Sequence, residues 1–366
     1  MKVLIISIDK GLLGGDQLGD VIERHKKYGQ FCNCLDIIVL SKKGFAKYQI
    51  SDKVTAYPTN SYCKLKYGCD AYNLGKKLFK ENGYDLIITQ TPFIDGLIGL
   101  CLKNKFKSKL LVHFHGDFWK NNKWLQESIF NYLLLPLSKL VVKYADAIRV
   151  MSNGQREKIT KSGISDKKVR VISTPVNLNK YLSIDYKVDG KNILHIGRDD
   201  GVKDYNTLVK AFKIVKDKIS DVNFIQAGAN SEIKKAMAKN NFFDIEIKGR
   251  LKHNELTDLY DNINFLVLSS TSESFGKVLV EANASGLPVV STATTGAKEI
   301  IDEGKNGFLV HIGSYQKLAE KIIWLLENKD EAKKMGDYGR EMVKERYGDN
   351  VSKIISFWKD IINNNL

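Results

Sequence analysis

The apolar run KVLIISI (2–8) has no polar alternation, so it predicts a strand buried on both faces. Gly11, Gly14 and Gly15 follow, and then a predicted helix from about Gln17 to Tyr28. Five further runs repeat the theme: LDIIVLS (35–41), YDLIITQ (84–90), KLLVHFHG (109–116), ADAIRVMS (145–152) and KVRVIST (168–174). Helical stretches separate most of them. Strand alternating with helix implies a parallel sheet covered by helices on both faces.

The pattern then restarts. KNILHIGR (191–198), VNFIQAG (222–228), IEIKGR (245–250), INFLVLSS (263–270) and LPVVST (287–292) read as strands. Helices are predicted between them, for example over 206–219 and 254–260. The polar stretch NKYLSIDYKVDG (179–190) has no clean period and is the linker expected from the pattern. The reading is α/β: two Rossmann-like doubly wound domains, over 1–180 and 190–348, facing a cleft at their strand C-termini. NVSKIISFWKDIIN (350–363) places Val351, Ile354, Ile355 and Trp358 at helical spacing, so residues 350–366 are expected to pack back on the first domain.

Length agrees with two domains, at 366 residues. No stretch approaches the ~20 apolar residues of a membrane span. The longest candidate, YLLLPLSKLVV (132–142), is interrupted by Pro136 and Lys139, and the opening MKVLIISID does not read as a signal peptide. Five cysteines, at 32, 34, 63, 69 and 101, are odd in number and fit no zinc spacing, which points to reduced thiols in a cytoplasmic protein. Charge is uneven. Residues 1–185 hold 30 Lys+Arg against 16 Asp+Glu, and residues 186–366 hold 27 against 26. An anionic partner for the first half and a lysine-rich solvated surface both remain open.

Four stretches at predicted strand ends could carry chemistry. In DKGLLGGDQLGD (9–20), Gly14 and Gly15 allow backbone to approach a phosphate, although the spacing is neither a dinucleotide fingerprint nor a P-loop. In HIGRDDGVKDY (195–205), Arg198 and Lys203 could neutralise a diphosphate leaving group. In TSESFGKVLVEANASG (271–286), Ser274, Phe275 and Gly276 precede a helix N-terminus. There Glu281 falls about two helical turns after Glu273, which would let the two share a face. In HFHGDFW (113–119), His115 reaches the strand end and could donate to a sugar hydroxyl, while His113 on the same side is structural.

These motifs resemble glycosyltransferase family 4, the retaining transferases of the GT-B fold. The resemblance rests on Glu273 through Glu281 (E-x7-E), on Arg198 with Lys203, on Gly14–Gly15 and on HFHG, and it spans essentially the whole chain. It is weakest over 30–110, where the acceptor is expected. It implies a nucleotide-sugar donor linked to UDP or GDP and a glycan or lipid-linked acceptor of cell-envelope polysaccharide, glycolipid or lipopolysaccharide synthesis. It implies that Glu281 binds the ribose and that backbone N–H groups of Gly276, Lys277 and Val278 hold the distal phosphate. Glu273 and His115 would contact the donor sugar, Gly14 and Gly15 would frame the diphosphate, and Arg250 would lie near the base. No metal is implied, and no D-x-D motif stands in a suitable loop.

KNKFKSK (103–109) and WKNNKW (119–124) mix lysine with aromatics, and YLLLPL follows. Such stretches suit an anionic membrane surface, so peripheral docking on the inner face of the cytoplasmic membrane is expected. Three alternatives stand beside this reading, and one of them, a degenerate, non-catalytic transferase paralogue, is disfavoured because every donor motif position is filled. A sugar-nucleotide epimerase or other GT-B enzyme would not be expected to carry this E-x7-E block. A nucleic-acid binder would need a recognition motif interleaved with the lysines, and none is present.

Overall fold

In the computed structural model, β1 (Lys2–Ser7) alternates between two cores: Val3 and Ile5 enter one, Leu4 and Ile6 the other. The structure describes residues 1–15, 20–186, 189–251 and 253–365. They form two units, Met1–Ser173 with Asp349–Leu366, and Thr174–Gly348.

The first unit adds β2 (Cys34–Val39), β3 (Tyr48–Ser51), β4 (Val54–Pro58), β5 (Leu86–Thr89), β6 (Lys109–Phe114), β7 (Ala147–Val150) and β8 (Val169–Val171). The sheet order is β3-β4-β2-β1-β5-β6-β7-β8, parallel except for the β3–β4 hairpin. In register, Ile5 of β1 lies opposite Ile37 of β2 and Ile88 of β5. The C-terminal helix Asn350–Ile362 covers one face, burying Ile354, Ile355, Phe357, Trp358 and Ile361. The Trp358 ring meets Tyr28 edge-on at 5.3 Å, and Asn350 Nδ2 donates to Ser173 Oγ at 2.8 Å.

The second unit contains β9 (Asn192–Ile196), β10 (Asn223–Ala227), β11 (Glu246–Gly249), β12 (Phe265–Leu268), β13 (Val289–Thr292) and β14 (Gly307–Val310). All pairs are parallel, in the order β11-β10-β9-β12-β13-β14.

Three strands escape the sequence pattern. β3 is short and partly exposed, β4 ends on Pro58, and β14 opens on Gly307. The expected linker is also displaced. Its first residues form a helical turn, Asn179–Leu182, whose Tyr181 is wholly buried with its ring 5.4 Å from Tyr260. Arg340 Nη2 donates to the Ile184 carbonyl at 2.7 Å. These anchors attach the stretch to the second unit, which begins at Thr174 rather than after 180. The expected helix over 17–28 is seen as Val21–Gly29, and residues 16–19 lie outside the described residues. WKNNKW is corrected too: Trp119 is buried and donates from Nε1 to Ser138 Oγ at 2.9 Å, while Trp124 stacks on Phe93. No helix among the described residues is long and apolar enough to cross a membrane.

Candidate active site

In the second sheet, β9 and β12 are neighbours, but the chain leaves them in opposite directions: β10 and β11 lie beyond β9, β13 and β14 beyond β12. Ligands of doubly wound sheets bind where this reversal opens a crevice at the strand C-termini. The two loops ending there are 197–204 and 269–276. They are tied together by the Thr271 N–H donating to the Val202 carbonyl at 2.8 Å and by Ser269 Oγ donating to the Asp204 carbonyl at 3.1 Å. The topology thus gathers Arg198, Lys203, Glu273, Ser274, Phe275 and Gly276 at one end of one sheet.

Lys203 and Glu273 form an ion pair, both largely buried. Ser270 Oγ lies 3.3 Å from Lys203 Nζ and donates to Glu273 Oε1 at 3.0 Å. The ammonium therefore stands at the base of the crevice with one carboxylate and one hydroxyl on it. Arg198 differs: its side chain is 88% exposed, with Nε 3.8 Å from Asp200 Oδ2. A long exposed guanidinium can swing onto a ligand, whereas Lys203 is positioned in advance. Asp199, next to Arg198, accepts backbone N–H groups of Asn230, Ser231 and Glu232 at 3.0–3.3 Å and so pins this loop to the start of the helix Ser231–Asn240.

The helix Lys277–Ala284 begins after Gly276, whose φ of 87° is left-handed and suits glycine. Gly276 at the N-cap has no side chain to cap this terminus, and the first-turn N–H groups of an α-helix lack acceptors inside the helix. Lys277 and Val278 form its first turn. Phe275 is buried with its ring 5.5 Å from Tyr347. Gly296 N–H donates to the Glu273 carbonyl at 2.7 Å, and a Cβ on Gly296 would stand 2.5 Å from Phe275 backbone. The 273–276 turn is thus held by a glycine that spacing alone did not single out.

Glu281 is buried within that helix, 3.4 Å from Lys277 Nζ. Glu273 lies in the loop before the helix, so the expected shared helical face is wrong. Two helical turns require eight helical residues, and the helix starts only at Lys277. The two carboxylates stand on either side of the turn through Gly276. Arg250 follows β11 at the sheet edge and is exposed, two strands away from β9.

The first unit has its own reversal between β1 and β5. After β1, a 3-10 turn, Lys10–Leu13, is capped by Asp9, which accepts the Gly11 N–H at 2.9 Å. Gly14 and Gly15 have φ of 81° and 97°, and a Cβ on Gly14 would stand 3.0 Å from the Tyr48 ring. Conformation favours glycine at both positions, and at Gly14 the Tyr48 ring crowds a Cβ as well. After β5, the buried Asp95 accepts from Thr91 N at 2.7 Å, and burial pushes its carboxyl up to about 6.

His115 follows β6, with its ring 5.3 Å from that of His113. Burial drives both imidazoles well below their ordinary range, and the buried Arg149 cation adds to the shift. Arg149 stands opposite His113 across β6–β7 and donates to the carbonyls of Ile172 and Ser173, each at 2.8 Å. His115 is therefore a neutral imidazole at neutral pH, able to donate one hydrogen bond and accept another. Ser270, Gly296, Arg149 and Asp95 were missed from sequence. The only signal for them is position, one strand end or one register step from a predicted residue.

Comparison with known proteins agrees with this geometry. Residues 184–342 match the model of "Glycosyl transferases group 1", and residues 35–180 match "Glycosyltransferase Family 4". A glycosyltransferase of Methanocaldococcus jannaschii is 30% identical over 292 residues, covering 77% of this chain and 76% of its own. The chain belongs to glycosyltransferase family 4. This GT-B transferase is also 25% identical to the capsular polysaccharide biosynthesis glycosyltransferase CapM of Staphylococcus aureus, over 63% of this chain and 64% of that one. Its fold matches the structure of Anabaena HepE in complex with UDP-glucose, with a TM-score of 0.78, 18% identity and coverage of 98% and 99%.

Proposed function

We propose that the protein moves a hexose from a UDP- or GDP-linked donor to a glycan or lipid-linked acceptor of cell-envelope polysaccharide, with retention at the anomeric carbon and without a metal. The single observation that carries this reading is the Lys203–Ser270–Glu273 cluster at the β9/β12 reversal, beside the helix terminus at Gly276. A fixed ammonium and a helix N-terminus supply the charge that a diphosphate leaving group needs, which is the work a metal does elsewhere. Arg198 closes on the same anion from solvent. Glu281, sunk in the helix, accepts from the ribose hydroxyls, and Glu273 accepts from a sugar hydroxyl. In the first unit, neutral His115 offers a hydrogen bond to a sugar hydroxyl, and Gly14 and Gly15 offer backbone to a phosphate. Arg250 is placed for the base by resemblance alone.

Glu273 is already engaged by Lys203 and Ser270, which mutes it as a nucleophile. We therefore favour attack on the face the nucleotide leaves. The bond from the anomeric carbon to phosphate breaks, the bond to the acceptor oxygen forms on the same face, and the acceptor proton passes to the departing phosphate oxygen. CapM's role in capsular polysaccharide synthesis and HepE's UDP-glucose support the acceptor and donor classes. The test is transfer of labelled sugar from UDP- and GDP-hexoses to lipid and glycan extracts in excess chelator. Incorporation with the donor's anomeric configuration, read by NMR coupling, is expected. Transfer that stops with chelator, or an inverted product, contradicts the proposal.

A further inference from the structure

The helix Ile129–Tyr144 has its polarity inside out. Its inward side carries Asn131 and Ser138, both buried: Asn131 Nδ2 donates to the Trp124 carbonyl at 2.6 Å, and Ser138 Oγ accepts from Trp119 Nε1. Its outward side is apolar. Ile129 is 80% exposed, Phe130 68%, Leu133 71%, Leu140 46% and Tyr144 51%. Positions 129, 133, 140 and 144, with Pro136 between them, form one stripe along the axis. The stripe is held in place: Ser128 Oγ accepts from Phe130 N at 3.3 Å, and Val141 and Val142 are wholly buried on the opposite side. Large contiguous apolar surface of this kind marks an interaction site.

Charge indicates what covers it. Lys139 and Lys143, one turn apart on the same helix, are exposed beside the stripe. Residues 103–144 hold eight lysines and only two acids, Asp117 and Glu127, and Asp117 is spent on Lys158 at 2.6 Å. An apolar face with a cationic margin matches anionic lipid, where side chains enter the acyl boundary and ammoniums stay among headgroups. A second copy laid on the same face would bring the same lysines and few acids, Glu127 among them, to meet them. The helix cannot be a span, with 16 residues and Pro136 inside it.

We propose that the outward face of helix 129–144 docks the protein, lying in the membrane plane, on an anionic phospholipid bilayer. The observation is independent of the donor reading, so either can fail alone. The test is co-sedimentation with vesicles of phosphatidylglycerol and phosphatidylcholine, and with phosphatidylcholine alone, at low and high salt. The proteins are the wild type, Leu133→Glu and the pair Lys139→Glu/Lys143→Glu; thermal unfolding and nucleotide binding serve as fold controls. The wild type should partition to anionic vesicles roughly tenfold more strongly than to neutral ones. Leu133→Glu should lose binding by roughly tenfold or more, and the lysine pair should lose the preference for anionic lipid. Wild type that stays with the supernatant, or Leu133→Glu that binds as well as wild type, overturns the proposal. A vesicle-free dimer that Leu133→Glu converts to monomer also overturns it, by showing that a second copy covers the face.

Discussion

Lys203 and Glu273, 70 residues apart in the chain, are ion-paired, and Ser270 Oγ bonds both. The pair holds the ammonium at the sheet end. On the proposed reading, the donor's diphosphate shares Lys203 with a carboxylate.

Lys203→Met should therefore weaken nucleoside diphosphate binding by about 10- to 100-fold, the loss of a charged hydrogen bond worth roughly 1.5–3 kcal/mol. Titration calorimetry with UDP and GDP reads this directly. Ser270→Ala leaves the ammonium in place, removes only the hydroxyl that bonds it and Glu273, and should cost under about tenfold. Equal losses for both would show that Lys203 does not reach the phosphates.

Gly296→Ala tests the support behind the 273–276 turn, which the proposed reading sets against the donor's phosphate. The added methyl meets the Phe275 backbone at 2.5 Å, and backbone cannot move aside as a flexible side chain can. Destabilisation of about 1–3 kcal/mol is expected, with donor affinity falling alongside. Unchanged affinity and unfolding midpoint would mean the 273–276 turn is not held by this contact.

Tyr181→Ala tests where the second unit begins. Tyr181 is wholly buried against Tyr260, and removing such an aromatic costs about 3–5 kcal/mol. Urea unfolding of the second unit should shift by that amount. A variant as stable as wild type would return 179–186 to the status of a linker.

Acid stability follows from the buried histidines. His25 and His195 are pushed down to about 3, and His113 and His115 well below their usual range, all chiefly by burial. Their native pKa values lie below the unfolded value, so the stability tied to their neutral form is full above pH ~6.5 and declines as pH falls. Each contributes a slope of about 1.4 kcal/mol per pH unit in that window. Asp95 runs the other way: its pKa is raised to about 6, so the native state binds a proton first as pH falls from 6 to 4, offsetting one histidine. Urea midpoints at pH 7.5, 6 and 5 should fall steadily. A flat profile would mean these imidazoles are solvated.

The sequence showed its core strands plainly, because strands buried on both faces, such as β1 and β9, read as unbroken apolar runs. It hid β3, β4 and β14, which are short, edge-placed or broken by Pro58 and Gly307. At the site, the motif positions lay where strand ends predicted. The Glu273–Glu281 relation departs from the expected shared face because the left-handed φ of Gly276 lets the helix begin only at Lys277. The Lys203–Glu273 pair was not legible, since it depends on two loops meeting at a topological reversal.

The most direct test of the donor-site account is a thermal-shift panel of UDP-, GDP-, ADP- and CMP-sugars, with wild type beside Glu281→Ala. A ligand at about 100 times its Kd adds roughly 2.7 kcal/mol to the stability of the unit that binds it. The account predicts an upward shift with one nucleotide class, UDP or GDP, lost in Glu281→Ala while the ligand-free midpoint stays measurable. No shift with any nucleotide, or a shift that Glu281→Ala leaves intact, would contradict it.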